Sequence, residues 1–504
     1  MLDKIKEDKL RKLQNFKEAG INPFPAGPFP KEDIREVLDK KKVGEKVRVA
    51  GRIVLLRVMG NITFLHLQDE SGRGQVVLNK KELEIITTAN GTEVGYKFWT
   101  KNLDLGDFIG VEGERFDTQK GEPSVLAKNI TLLSKSILPL PDKQKGLRDE
   151  DERLRKRYLD IALNPELQEL FKRRAKFWET MRNFMKEKGF FEVETPSIEV
   201  TTGGAEARPF ATRHNDFDIP VFMRISVGEL WQKRLMAAGF EKTFEIGRVF
   251  RNEGSSPNHL QEFTNMEFYW AYANYKDGMK LAQEMYRHIA REVYGQTKFV
   301  AHGLEFDLAD EWVEIDYVEE IKKQTGVNVI EASEQEMADK LKELGVKYEG
   351  DNKERMMDSL WKYCRANIAG PAFLVNHPVL IAPLAKRKED NPEQVERFQI
   401  LLGGAEVGNG YSELNDPIDQ RKRFEEQQKL LEAGDDEAMM PDWEFVEMLE
   451  HGMPPTCGFG VGERLFAFLE NKTLREVTLF PLVKPKNDEQ GTGSGEQGTV
   501  NKKQ

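Results

Sequence analysis

Residues 244–270 read FEIGRVFRNEGSSPNHLQEFTNMEFYW, and few folds accommodate such a segment. An apolar-alternating run ends in Arg251 and Glu253, crosses a small polar loop, and returns as a second alternating run carrying Glu267 and Tyr269. Side chains along a strand point to opposite faces in turn, so the spacing predicts an antiparallel pair on which these four residues can converge. Charge within a sheet is costly unless it is paired or liganded. Two readings follow from the residues: a structural ladder of ion pairs, or a site that grips a charged ligand.

A second cluster, GGAEVGNGYSELNDP over Gly403–Pro417, brings Glu406, Asn409, Tyr411 and Glu413 together among glycines. Glycine lets backbone approach a ligand closely, and carboxylates there suit either Mg2+ or an ammonium group. A third, CGFGVGERLFAF over Cys457–Phe468, is a glycine-spaced strand running into a helix whose first turn contains Arg464. By itself this spacing also fits a tight strand-to-helix packing turn.

At 504 residues the chain exceeds what one core supports and is expected to form two or three domains. Residues 1–45 predict a helix and linker: Leu2, Ile5, Leu10, Leu13 and Phe16 recur about once per helical turn before Gly20 and a proline-rich stretch. Such a basic amphipathic helix either packs on the domain that follows or reaches toward a nucleic acid. Residues 46–135 hold five short β-rich runs, VRVAGRIVLL, ITFLHLQD, GQVVL, DFIGVEGERF and VLAKNITLL. They predict a small closed barrel, for which the oligonucleotide-binding (OB) fold is the commonest match and any other small barrel the alternative. Residues 136–150 open on a stiff ILPLP and predict a linker. Residues 151–485 then read as an α+β domain, in which the Glu- and Lys-rich section 316–366 is expected to be a peripheral helical insertion. The tail, 486–504, has no aromatic residue and is expected to be disordered.

The formal net charge of −11 is the wrong sign for a phosphate partner, yet a local basic stripe can carry a polyanion on an acidic body, so charge excludes nothing. Cys364 and Cys457 lie far apart without metal or disulfide spacing, which argues against a disulfide framework and a structural zinc and fits the reducing cytoplasm. No apolar run approaches the roughly 18 residues needed to span a bilayer, and no signal peptide is expected.

Together these segments resemble the class II aminoacyl-tRNA synthetases, from the N-terminal helix to about Pro485. GFFEVETP at Gly189–Pro196 looks like motif 1, the 244–270 pair like motif 2, and GERLFAF like motif 3. Within the class, RKRYLDIALNPE at Arg155–Glu166, TTGGAEARPF at Thr201–Phe210, the return strand and the stretch opening YSELNDP at Tyr411 resemble the lysine-specific members. The implied fold is an N-terminal OB barrel followed by a catalytic domain built on an antiparallel sheet flanked by helices. The implied reaction activates L-lysine with ATP to lysyl-adenylate and pyrophosphate, then esterifies lysine to the 3′ end of tRNA(Lys). Motif 1 implies a homodimer.

The resemblance also implies roles. Arg251 would bind the α-phosphate of ATP and the lysine carboxylate, aligning the reacting groups and stabilising charge at phosphorus. Glu253 would read the adenine amino group, Phe263 would stack on one purine face, Arg464 would cover the other and reach the γ-phosphate, and His259 would touch the triphosphate. Glu229, Glu267 and Glu413, with Tyr269, Tyr411 and Asn409, match the family's lysine pocket, where a desolvated ammonium needs paired charge. A pocket for aspartate would need a cation instead. Glu406 matches a Mg2+ ligand shared with the phosphates, and Arg251, Glu406 and Arg464 form the implied catalytic set. Phe64, Gln75 and Glu122 match barrel positions that read the uridine-rich anticodon. From pattern alone Phe64 reads as a core residue.

The chain departs from the family twice. Gln399, in RFQILLGG, stands where a second Mg2+-ligating glutamate is usual; an amide still offers an oxygen but withdraws a negative charge. PPTCGFGVGERL is one residue shorter than the family pattern and has Glu463 in place of aspartate. A deletion in a strand flips the alternation beyond it unless a bulge absorbs it, so the expectation is a bulge near Cys457–Phe459 with Arg464 still facing the nucleotide. Other readings stay open: a paralogue that binds tRNA or lysine without catalysis, and a sister aspartyl or asparaginyl synthetase.

Overall fold

The computed structural model describes residues 2–141, 147, 149–205, 207–254, 256–257, 259–348, 352–434 and 438–485. The chain divides into two units, Met1–Pro165 and Glu166–Gln504. The tail 486–504 lies outside the described residues, as do 142–146 and 148 of the expected linker.

In the first unit the five β-rich runs become the strands of a closed barrel: β1 (Lys46–Met59), β2 (Ile62–Gln68), β3 (Arg73–Asn79), β4 (Phe108–Asp117) and β5 (Pro123–Ser134). Their spatial order is β1-β2-β3-β5-β4, with β4 closing back on β1. Alternation explains the closure. Val47, Val49, Leu65, Leu67, Val76, Leu78, Ile109 and Val111 all turn inward to one buried core, which leaves the intervening side chains outside.

The N-terminal helix α1 (Leu2–Glu18) uses its apolar stripe within this unit. Phe16 is fully buried against α2 (Tyr96–Asn102), its ring centroid 5.3 Å from Phe98 and 5.8 Å from Trp99. Lys9 is buried and donates to the Leu105 carbonyl at 2.9 Å, and Lys12 pairs with Asp104 at 2.7 Å. Lys4, Lys6 and Lys17 remain exposed.

The second unit is built on an eight-stranded sheet. In chain order its strands are β6 (Phe191–Glu192), β7 (Lys242–Phe250), β8 (Glu262–Ala271), β9 (Val313–Asp316), β10 (Ala372–Val375), β11 (Arg397–Leu402), β12 (Ala405–Ser412) and β13 (Thr456–Gly462). Spatially they run β9-β10-β11-β12-β13-β8-β7-β6, antiparallel except for the outermost pair at each edge. The predicted pair of alternating runs is β7 and β8, joined in unbroken register from Lys242↔Trp270 to Phe250↔Glu262.

One sheet face is closed by the helix Tyr275–Ile289, whose capping box Asn274/Asp277 starts it and whose Met279, Ala282, Met285, Tyr286 and Ile289 are buried. Residues 316–366 do form helices, Tyr317–Thr325, Glu334–Glu343 and Lys353–Arg365, around their own core of Ile321, Leu341, Leu360 and Trp361.

Candidate active site

A cavity of about 420 Å3 opens between β8, β11, β12 and β13 in the second unit. Every residue of this unit to which the resemblance gave a ligand-binding role lines it: Arg251, Glu253, His259 and Phe263 from the β7–β8 hairpin, with Glu267 and Tyr269 further along β8. Gln399 comes from β11; Glu406, Asn409 and Tyr411 from β12; Glu413 from just beyond it; Glu229 and Arg464 from two helix starts.

One end of the cavity is an acid slot. Glu229, Glu267 and Glu413 are 4%, 5% and 1% exposed. Glu229 opens helix α3 (Glu229–Ala237), where the positive end of the helix dipole favours a carboxylate. Its Oε1 accepts from the Tyr411 hydroxyl and from Lys233 Nζ, the latter at 2.7 Å. Glu267 Oε1 accepts from Val227 N at 2.8 Å and Asn265 Nδ2 at 2.9 Å, and its Oε2 accepts from the Tyr269 hydroxyl at 3.1 Å. Glu413 Oε2 lies 2.5 Å from Lys233 Nζ, whereas its Oε1 has no hydrogen-bond partner among the described residues. Burial, and then the neighbouring Glu229, push the Glu267 carboxyl up to about 7. Burial likewise pushes Glu413 well above the usual carboxylate range, against the pull of Lys233. Burial alone would depress the Lys233 ammonium, but Glu229 and Glu413 hold it above its ordinary value.

Backbone glycine makes room for the slot. A Cβ at Gly458 of β13 would stand 2.0 Å from Glu413 Oε1 and 2.7 Å from the Tyr269 ring, so any side chain there would fill the space the carboxylates enclose.

The other end is lined by guanidinium groups. Arg251 follows β7 directly, its backbone N–H held by the Gln261 carbonyl at 2.8 Å, and its guanidinium lies 5.4 Å from the Phe263 ring centroid. Arg464 begins helix α5 (Arg464–Leu469) and lines the same cavity. Glu406 is held by two hydrogen-bond donors and one ion pair. Trp361 Nε1 donates to Oε1 at 2.6 Å, Arg365 Nε lies 3.5 Å from the same oxygen, and Gln399 Nε2 donates to Oε2 at 3.0 Å. The Gln399 amide oxygen turns the other way, 3.0 Å from Nε2 of the fully buried His377. Among the described residues no group of three or more His, Cys, Asp or Glu side chains is arranged to hold a metal ion.

The geometry corrects two expectations. No bulge lies near Cys457–Phe459: β13 pairs with β8 from Asn265↔Gly462 to Ala271↔Thr456, and with β12 over Asn409↔Gly460 to Ser412↔Cys457, without a shift. A strand clamped on both sides cannot pucker cheaply, so it simply ends at Gly462 and Glu463 turns at once into the helix. Glu463 points away from the cavity. It is fully buried, 2.9 Å from Arg174, and its Oε1 accepts from Thr478 at 3.3 Å. Secondly, section 316–366 is not merely peripheral, because its last helix, α4 (Lys353–Arg365), delivers Trp361 and Arg365 to Glu406.

A structural ion pair does occur on β7, though not among the four residues for which a ladder was the alternative. Glu245, directly across from Glu267, pairs with Arg224 at 2.6 Å and accepts from Thr195 N and Oγ1.

Sequence reasoning missed Lys233, Asn265, Arg397, Trp361, Arg365 and His377. Lys233 sits four residues after Glu229 on one helix face, and Asn265 two before Glu267 on one strand face, so spacing alone offered a signal for these two. Arg397, two before Gln399 on β11, donates to Asn409 Oδ1 at 2.8 Å.

On the barrel, Phe64 is half-buried on the outer face, opposite exposed Arg57 on β1 and Val77 on β3, and so is not a core residue. Gln75 Oε1 accepts from Ser124 Oγ at 2.9 Å, and the same hydroxyl contacts the carbonyl of exposed Glu122 at 3.1 Å. Gln75 and Glu122 are thus neighbours, and Phe64 lies on the adjoining strand of the same face.

With this geometry in place, comparison with known proteins is informative. Residues 149–484 match the family described as tRNA synthetases class II (D, K and N), and residues 47–133 match an OB-fold nucleic acid binding domain. The chain is similar to the lysine–tRNA ligase of Thermotoga maritima, 40% identical with 99% of each chain covered. It is also similar to that of Thermosipho melanesiensis, 40% identical over 97% of this chain and 98% of the relative. The lysine–tRNA ligase of Roseiflexus castenholzii is 41% identical over 96% of this chain and 99% of its own.

Proposed function

The chain belongs to the class II tRNA synthetases of the D, K and N group, and from that premise we infer that it is a lysine–tRNA ligase. It activates lysine with ATP and transfers it to tRNA. The observation that carries the choice of amino acid is the acid slot: three buried carboxylates share it with one fixed ammonium, which pairs with Glu229 and Glu413 only and leaves Glu413 Oε1 without a donor among the described residues. A second ammonium, that of substrate lysine, satisfies this oxygen and the excess charge together. An aspartate or asparagine side chain brings no positive charge and would leave the slot uncompensated.

The proposed roles follow the two ends of the cavity. With the lysine ammonium in the slot, its carboxylate extends toward Arg251, which also meets the α-phosphate and neutralises charge as the carboxylate oxygen attacks phosphorus and pyrophosphate departs. No side chain is needed as nucleophile, since positioning and electrostatics supply most of the rate. Phe263 and Arg464 sandwich the adenine, Glu253 accepts from its amino group, and Arg464 with His259 reaches the outer phosphates. The family generally uses ATP with Mg2+, which would offset the charge of the phosphates.

The barrel face of Phe64, Gln75 and Glu122 is proposed to read the anticodon, Phe64 by stacking on a splayed base. Phe64→Ala is expected to lower kcat/KM for aminoacylation by roughly tenfold or more, from a stacking loss of about 1–3 kcal/mol, while pyrophosphate exchange is unchanged. Loss of both would return Phe64 to a structural role.

A homodimer through the β6 edge is also proposed, supported by Phe191, 59% exposed there and stacked on Phe240 at 5.9 Å. Sedimentation analysis checks it. No helix among the described residues is long and apolar enough to cross a membrane, and a cytoplasmic location is proposed on the grounds of the translation chemistry.

Amino-acid-dependent ATP–pyrophosphate exchange, run across all amino acids, tests the main reading. Exchange with lysine alone is expected. Exchange with aspartate or asparagine, or with none, would overturn it.

A further inference from the structure

Gln399 and Glu406 face each other across β11 and β12 where the register slips between Gln399 and Leu401. A pair of oxygens that shares a metal ion presents lone pairs to the gap between them. Here the gap holds a donor, because the Gln399 amide nitrogen points at Glu406 Oε2 from 3.0 Å.

The carboxylate sets the sense of the amide. The Gln399 oxygen lies 3.0 Å from Nε2 of the fully buried His377, and turning the amide over would set that oxygen against the Glu406 carboxylate. The other carboxylate oxygen is also engaged, by the Trp361 indole at 2.6 Å and by Arg365 at 3.5 Å. Both oxygens therefore already carry donors, and a guanidinium lies beside the single charge.

A magnesium ion asks for near-octahedral oxygen ligation at about 2.0–2.1 Å. To serve one, Gln399 would have to turn its amide over, which breaks its bond to Glu406 and requires Nε2 of His377 to accept. The two-carboxylate bridge that the family resemblance implies does not fit these residues.

We propose that Gln399 is an amide brace occupying the place of a bridging cation. His377, Gln399, Glu406 and Trp361 form one hydrogen-bonded chain that holds the carboxylate rigid. The nucleotide end of the cavity then contacts the triphosphate through Arg251 and Arg464, and the only divalent ion present is the one that the nucleotide itself carries. This rests on the reading of the cavity as an ATP site.

The test counts metal ions on the full-length protein, using Mn2+ as the probe and a non-hydrolysable ATP analogue, with free Mn2+ followed by electron paramagnetic resonance and nucleotide binding followed in the same titration. Wild type is expected to hold about one Mn2+ per bound nucleotide, and Gln399→Glu about one more, bound at least roughly tenfold more tightly than any additional ion on wild type. The wild-type count stands by itself, whether or not the variant folds. Two or more tightly held ions per nucleotide on wild type, or equal counts in both proteins, would overturn the brace while leaving the ATP site intact. Failure of the analogue to bind wild type would overturn the ATP site, and the brace with it.

Discussion

The acid slot and the nucleotide wall share one cavity and have mirrored charge, yet they differ in burial. In the slot, three carboxylates no more than 5% exposed share one fixed cation, Lys233, which pairs with Glu229 and Glu413. On the wall, Arg251 and Arg464 are less completely buried than the slot carboxylates, and the donor-held Glu406 lies close enough to Arg464 to favour its charge. A buried charge without compensation costs several kcal/mol, whereas one in contact with water is largely screened. On the proposed reading the drier end discriminates between ligands by charge, and the less buried end grips a polyanion whose charge grows during reaction.

That contrast can be broken in several ways. The largest effect is expected from Lys233→Met, which keeps the volume but leaves Glu229 and Glu413 buried without their cation. Stability at pH 7 should fall by about 3–5 kcal/mol in chemical denaturation, and the loss should shrink at lower pH as the carboxylates take up protons. An unchanged midpoint would mean that the slot is not held by this residue.

Arg251→Ala should strike the wall. Exchange kcat is expected to drop by about 10^2–10^3, the cost of removing a donor aimed at developing charge, with a much smaller change in the KM for lysine. If KM moves and kcat does not, Arg251 serves ground-state binding only. Glu413→Gln should do the reverse, raising the KM for lysine roughly 30-fold, about 2 kcal/mol, and that for ATP hardly at all. Equal shifts in both constants would merge the two ends into one site.

The smallest effect is a pH dependence. Glu267 is pushed up from 4.5 to about 7 by burial and by Glu229. A carboxyl with a raised folded-state value binds its proton more tightly when folded, so the empty slot loses stability as pH rises from 4.5 through about 7. The lysine ammonium needs the ionised form. The KM for lysine should therefore fall by up to about tenfold per pH unit below 7 and level off above, and the gain in Tm from lysine should grow over the same window. A KM flat across that window would exclude Glu267 from ammonium binding.

Much of this was legible in the chain. The five β-rich runs became the five barrel strands, and residues 244–270 became the hairpin that supplies Arg251 and Glu267. Period-two alternation is a local property, and a strand whose faces differ in polarity can sit only one way between core and solvent. The clusters around Glu406 and Arg464 were legible for a similar reason, because their spacing binds chemistry to adjacent residues.

What escaped was long-range. Glu229 and Lys233 have the spacing of an ordinary surface ion pair on a helix, and only folding brings Glu413 to the same ammonium. The Glu- and Lys-rich section looked peripheral, and its composition could not reveal that Trp361 and Arg365 turn inward to Glu406. Nor could alternation say where a shortened strand takes up its slack, since that depended on β8 and β12 clamping β13 from both sides. Sequence by itself determined which segments are strands and helices and which residue types line the cavity, for these follow from neighbours along the chain. Tertiary structure alone decided which charges are compensated and by whom, because the cost of a charge depends on burial and on partners that the chain order does not reveal.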